Sequence, residues 1–313
     1  MAAELHEHRF RAMGSDCHLV VVGGSAHAAL AAIDRVRQLE SHWSRFLATS
    51  EISRLTARHG EPVRISDDTA LLLRRGIEAW SLTGGLFDPT VLGDMVRAGY
   101  DRDLAEVVAA PRHGSSGLGL GCPGIVLERD VAGWTAALPR GAGFDPGGLG
   151  KGLAADLVTD ELLDAGATGV CVNLGGDVRV AGDGPSGDGW TVDIEHPHIT
   201  EPVARVGLRS GAVATSTTLL RRWTIDGEPM THVVDPRTGR PTRTDVALVT
   251  VVAGRAWLAE VLATACMLRG WQRCFDLLDG TCQALAVHDD GTVSTTDGFA
   301  GFTRRRDGVE VAS

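Results

Sequence analysis

Long hydrophobic runs, clustered cysteines, basic stretches and low-complexity linkers are all missing from this 313-residue chain. No apolar run approaches the roughly 20 residues that cross a bilayer, so no membrane span is expected. The six cysteines (Cys17, Cys122, Cys171, Cys266, Cys274 and Cys282) form no CxxC pair and have no histidine at zinc spacing. Most lie in apolar runs, such as Cys171 in GVCVNL and Cys266 in LATACML, and read as buried small hydrophobes in a reducing compartment. The formal net charge is −10, the pI is about 5.5, and no basic run of five or more occurs. Nucleic-acid phosphates are bound by concentrated Lys and Arg, so that class of partner is not expected. An anionic ligand would have to be held by metal, backbone amides and a few placed cations. The segment MAAELHEHRFRAMGS has neither the apolar h-region of a signal peptide nor a lipobox cysteine, which points to a soluble cytoplasmic protein. With no Pro- or Ser-rich linker and no internal repeat, the expectation is a single unit over residues 1–313, with lobes of about 1–145 and 146–313.

What is present suits a globular domain. At 43% hydrophobic and 22% charged residues, the chain has enough apolar material for a sizeable core. Residues 8–22 read as an opening strand, and apolar spacing at Leu30, Ile33, Val36 and Leu39 predicts a helix over 27–43. A second helix is expected over 67–82, capped by Ser66 and stopped by the glycines after Thr83, and a weaker helical stretch over 91–98. Residues 112–124 are turn-rich, and strand material follows in IVLERD and WTAALP. GFDPGGLGKG then leads into a helix over 151–165. Short strands and turns alternate through GVCVNLGG, DVRVAG, WTVDIEHP, ARVGLRSGAVATS and MTHVVDP. The strand ALVTVVA precedes an amphipathic helix over 255–269, a short helix near 271–278 and a hairpin around Asp290-Gly291. Strands in runs with appended helices indicate an α+β fold.

Two familiar-looking motifs fail. Residues 119–124 (GLGCPG) carry the letters of GxGxxG, but Pro123 and the IVL run lead into a strand, not the helix a dinucleotide fold requires. GGLGKG resembles a phosphate loop, yet Asp145 stands where the first glycine belongs and Gly152 replaces the magnesium-holding Ser/Thr.

Three other segments carry chemistry. GFDPGGLGKG sets Asp145 and Lys151 on either side of glycines at a helix start, where backbone amides and a cation favour phosphate; a plain strand-to-helix turn is the alternative. THVVDPRTGRPT places His232 at a strand end, suited to a general base or to a structural histidine. In LAEVLATACML, Glu260 and Thr264 stand four apart on one helical face, an oxygen-donor pair of the kind Mg²⁺ or Ca²⁺ uses.

In this order the segments resemble the ApbE family of FAD:protein FMN transferases over nearly the whole chain. RAMGS (11–15), SRFLATSEISRLT (44–56), GGLFDPTV (84–91), GFDPGGLGKG, VNLGGDVRVAG (172–182), THVVDPRTGRP and LAEVLATA (258–265) each match a family motif. The resemblance implies an α+β fold related to a duplicated T-fold unit. It implies Mg²⁺ on the backbone carbonyl of Gly148 and the side chains of Glu260 and Thr264. It implies FAD contacts at Met13, Phe46, Leu86, Phe87, Asp88, Asp145, Lys151, His232 and Val233. The implied reaction moves FMN from FAD onto a Ser or Thr of an acceptor flavoprotein and releases AMP.

That chemistry needs a base for the hydroxyl proton, for which His232 is the first choice and Asp145 the alternative. Lys151 would stabilise phosphate charge or orient the flavin. Two positions depart from the family pattern. Glu260 replaces an aspartate, and Thr217 in ATSTT replaces a glycine. Two other functions fit the same residues: a metal-dependent FAD pyrophosphatase giving free FMN and AMP, and a non-catalytic FAD-binding protein.

Overall fold

The run Leu19-Val20-Val21-Val22 is apolar at every position because its strand is covered on both faces. Leu19 and Val21 belong to one buried cluster and Val20 and Val22 to another. A computed structural model describes residues 4–100, 121–225 and 227–303. In chain order its elements are β1 (Leu5–Ala12), β2 (Ser15–Gly23), α1 (Ala26–Trp43), α2 (Glu51–Ala57), β3 (Val63–Ile65), α3 (Asp67–Leu82), α4 (Leu92–Arg97), β4 (Val126–Asp130), β5 (Gly133–Ala137) and α5 (Gly150–Asp164). There follow β6 (Ala167–Leu174), β7 (Asp177–Gly182), β8 (Trp190–His196), β9 (Ile199–Leu208), β10 (Gly211–Thr217), β11 (Arg222–Ile225), β12 (Glu228–Thr231), β13 (Val234–Asp235), β14 (Arg240–Pro241), β15 (Val246–Ala253), α6 (Ala256–Arg269), β16 (Gln283–His288) and β17 (Val293–Thr295).

The organising element is an eight-stranded sheet in the order β1-β2-β6-β7-β10-β15-β16-β17. Every adjacent pair in it is antiparallel. Helices α1, α5 and α6 pack on one face, with α5 against β6 and β7 and α6 against β10 and β15. The opposite face is covered by the β8–β9 hairpin, whose Trp190, Ile194, Val206 and Leu208 meet Val180, Val213 and Leu285 of the sheet. The fold is α+β, as expected.

Several local expectations change. The single strand over 8–22 is a hairpin, because Ala12 pairs with Ser15 across a two-residue turn. Met13 and Gly14 both have positive φ, 52° and 67°, the hand that suits strand twist. Met-Gly lacks the usual Asn-Gly signature, so the turn was hidden. Helix α2 was not expected from its short periodic run; Ser50 caps it by accepting from the Ser53 amide at 3.0 Å. The helix expected to be amphipathic, α6, is buried almost all round because it lies between the sheet and α5. Near 271–278 there is only a short 3-10 turn, Trp271–Arg273. Residues 112–120 of the turn-rich connection, with Gly119 of the rejected GxGxxG run, lie outside the described residues. Its remainder, Cys122–Gly124, is a 3-10 turn that leads into β4. No helix among the described residues is long and apolar enough to cross a membrane.

Candidate functional site

The site begins where α5 and α6 cross. Asp156 of α5 is fully buried and accepts from the amides of Ala256 and Trp257, both at 3.0 Å. Those amides are unpaired donors at the start of α6, whose own N-cap, Arg255, makes no side-chain cap bond. The cap in trans fixes α6 against α5, and Arg179 at 3.1 Å balances its charge. The contact is so close that a Cβ on Gly152 would stand 2.5 Å from the Ala256 carbonyl oxygen. This explains the glycine where a phosphate loop would carry a hydroxyl.

One turn along α6, Glu260 points back at the start of α5. Its Oε1 accepts from Lys151 Nζ and its Oε2 from the Gly152 amide, each at 2.9 Å. Lys151 also pairs with Asp177, the first residue of β7. All three side chains are largely withdrawn from water, with exposures of 16% for Lys151, 4% for Asp177 and 5% for Glu260. Two carboxylates against one ammonium leave a surplus negative charge in a medium that opposes it. Burial pushes the Glu260 carboxyl up to about 8; the charge of Asp177 adds to this, and Lys151 and the Gly152 amide oppose it. Burial works against the Lys151 ammonium, but its two carboxylate partners win and hold it above its ordinary value.

Oxygen donors gather beside this cluster. Thr264 Oγ1 lies 2.9 Å from Ser216 Oγ of β10. A Cβ on Gly148 would meet the Phe87 ring at 2.8 Å and Thr264 Oγ1 at 3.9 Å, so that backbone, the late helix and the segment of Phe87 converge. The GGLFDPTV segment (84–91), which carries Phe87, is brought there by the Asp145 amide, which donates to the Pro89 carbonyl at 2.7 Å. Leu86 and Phe87 are buried. Asp88 is held locally: its Oδ1 accepts from the Thr90 amide at 2.8 Å and from the Thr90 hydroxyl at 2.5 Å. The Met13 turn reaches the cluster through Ser15, whose hydroxyl and the Lys151 stem both flank Gly175.

His232 occupies the break between β12 and β13, and Val233 beside it is buried. Its Nδ1 has neither solvent contact nor a hydrogen-bond partner among the described residues. The imidazole is pushed down to about 3, first by burial and then by the positive charges of Arg221 and Lys151. On another side, Asp145 is paired with Arg45 at 3.3 Å. The Arg45 guanidinium carbon stands 4.2 Å from the Phe46 ring centre and 4.6 Å from that of Tyr100. Tyr100 stacks on Trp223 with centroids 5.6 Å apart. Phe46 is half exposed at 49%, so this aromatic ladder has an open end.

A family model described as the ApbE family matches residues 13–287. The chain belongs to the ApbE family. A Rhodobacter capsulatus relative named FAD:protein FMN transferase is 32% identical over 268 residues, 83% of this chain and 50% of the relative. The chain thus spans half the length of that relative. A Treponema pallidum relative of the same name is 30% identical over 278 residues, 80% of this chain and 74% of the relative. The crystal structure of an ApbE protein from Thermotoga maritima superposes with a TM-score of 0.85 at 26% identity, covering 96% of this chain and all of that one.

Within this ApbE-family frame, the structure gathers Gly148, Lys151, Glu260 and Thr264 closely, with His232 in the field of Lys151. Asp145 and Phe46 gather around Arg45. Asp88 is held in its own turn. Sequence reasoning passed over Asp177, Ser216 and Arg45, although each lies in or next to a quoted segment. Asp177 directly follows the glycines of VNLGG, where a buried acid could have been suspected as a partner for Lys151. Tyr100, Trp223 and Arg221 lie outside every quoted motif, and nothing local marked them.

Proposed function

We propose that this chain moves the FMN half of FAD onto a serine or threonine hydroxyl of an acceptor flavoprotein and releases AMP, with Mg²⁺ at the pyrophosphate. The observation that carries this reading is the buried Lys151–Asp177–Glu260 cluster, with one carboxyl in excess of its cation, next to Thr264 and near enough for the charge of Lys151 to act on His232. Buried negative charge lined by hydroxyl, carboxylate and carbonyl oxygens suits a hard divalent cation. Among the described residues no group of three or more His, Cys, Asp or Glu is arranged to hold a metal. Mg²⁺ commonly takes only one or two carboxylates and completes its shell with water and substrate phosphate. The Gly148 carbonyl, Glu260 and Thr264 would hold it, and when bound it supplies charge neutralisation at the pyrophosphate.

The chain's own residues do the rest. In the transfer, the acceptor oxygen bonds to the FMN-side phosphorus and the bond to the bridging oxygen breaks. AMP leaves with that oxygen, and the hydroxyl proton passes to His232. A neutral imidazole can take that proton; burial first and the two cations second hold its basicity down, and the negative pyrophosphate would offset the cations' share. Asp145 is the alternative base, but its carboxylate is already engaged by the Arg45 guanidinium at 3.3 Å. Arg45 and Phe46 offer a flat cation–aromatic surface for a ring of FAD, and Met13, Leu86, Phe87, Asp88 and Val233 would border the same ligand.

Incubation with FAD and Mg²⁺, with and without an acceptor domain, tests the reading. Covalent FMN on the acceptor supports it. Free FMN and AMP without an adduct would mean that water takes the place of the hydroxyl, and absence of both products would leave only flavin binding. The His232→Ala variant should lose turnover and still bind FAD; an unchanged rate would rule His232 out as the base.

A further inference from the structure

Arg221 stands out at the end of the β11–β12 ladder. Arg222 pairs with Thr231 in that ladder, so the next step outward sets Arg221 beside His232. Its φ of 52° is left-handed, a conformation that strains a non-glycine residue. Strain of this kind persists where the surrounding structure over-determines a residue, and it clusters at ligand-binding sites. The neighbouring Arg222 folds back and donates to the Thr218 carbonyl, whereas no acceptor among the described residues holds the Arg221 guanidinium. Lys151, the other cation whose field reaches His232, is already committed to Asp177 and Glu260. Arg221 is therefore the cation at this point that remains available to a ligand anion.

We infer that Arg221 binds the pyrophosphate of FAD, its guanidinium donating to phosphate oxygens next to His232. This rests on the FAD reading above, because the pyrophosphate is the anionic part of that molecule. A planar guanidinium offers paired donors that match two phosphate oxygens. It also places positive charge where the leaving phosphate gathers negative charge, without taking Lys151 from its carboxylates. Among the described residues, none of the sequence motifs pointed to this position, since Arg221 falls in the TLLRRW stretch between two of them.

The test is FAD affinity of the wild type and of Arg221→Gly, Arg221→Lys and Arg64→Ala, followed by flavin fluorescence. Glycine accepts the left-handed φ, so Arg221→Gly keeps the fold, checked by an unfolding midpoint at or above that of the wild type. It is expected to bind FAD about ten- to a hundredfold more weakly. Arg221→Lys should recover part of the loss, and Arg64→Ala, which removes an exposed cation paired with Asp130, should bind FAD as tightly as the wild type. Arg221→Gly binding FAD within about twofold of wild type would overturn the inference, as would equal weakness of the Gly and Lys variants. Failure of the wild type itself to bind FAD would instead sink the functional reading on which this one rests.

Discussion

Acidifying the ligand-free protein from about pH 8 to about pH 5 should cost it about 2 kcal/mol through His232 alone. The imidazole is pushed from 6.5 to about 3 by burial and by two nearby cations. An unfolded chain takes up a proton near pH 6.5 that the native state refuses until about pH 3. The stability contributed by the neutral ring is therefore complete above 6.5 and is lost as pH falls toward 3. At about pH 5 the unfolded state is favoured by RT ln(1 + 10^1.5), which is about 2 kcal/mol, and the loss saturates near about 5 kcal/mol at lower pH. Other groups titrate in the same range, so the measurement is a difference. Urea midpoints of wild type and His232→Asn are compared at both pH values, and the wild type should lose about 2 kcal/mol more than the variant. Losses equal within about 0.5 kcal/mol would mean that the ring protonates freely in the native state, and that it is not held neutral as described.

Replacing Asp156 with alanine should destabilise the protein by about 3–5 kcal/mol in urea melts, because it strips two amide bonds from the start of α6 and leaves Arg179 without its buried partner. Chelating divalent cations with EDTA should stop FMN transfer and leave FAD bound, read as loss of adduct with flavin fluorescence still quenched. Lys151→Met should cost about 3–5 kcal/mol, and adding Asp177→Asn should recover at least about 1 kcal/mol by removing the uncompensated carboxylate. A cost below about 0.5 kcal/mol would return Lys151 to the status of an ordinary surface lysine.

Much of this was legible in the chain because it is local. The cap at Ser66, the helix beginning at Gly150 and the pairing of Glu260 with Thr264 on one face follow from spacing of a few residues. Runs of short strands with appended helices indicated the α+β class, and the ApbE-family motifs agreed with it. What stayed hidden depends on distance in the chain. Asp177 meets Lys151 across 26 residues, and Glu260 meets it across 109. A lysine at a glycine-rich helix start reads as a phosphate ligand until its carboxylates are seen. The Met13 turn and the burial of α6 were misread for a related reason. A two-residue turn without asparagine leaves no mark, and a helix covered on all sides has apolar residues that look like one broad face.

The substitution of glutamate for the family's aspartate also takes on a physical meaning. Helix α6 is fixed by Asp156 at its start and enclosed by the sheet and α5, so its backbone cannot slide to bring a shorter side chain closer. With the extra methylene, one carboxylate spans both the Lys151 ammonium and the Gly152 amide, each at 2.9 Å. The same enclosure keeps Asp177 and Glu260 from turning out to water, which is how unpaired carboxylates elsewhere relieve their repulsion. The surplus negative charge is therefore held in place by the packing of two helices against a sheet. It is relieved by a proton on Glu260, pushed up to about 8, or by a cation, and at neutral pH a divalent ion need displace at most that one proton.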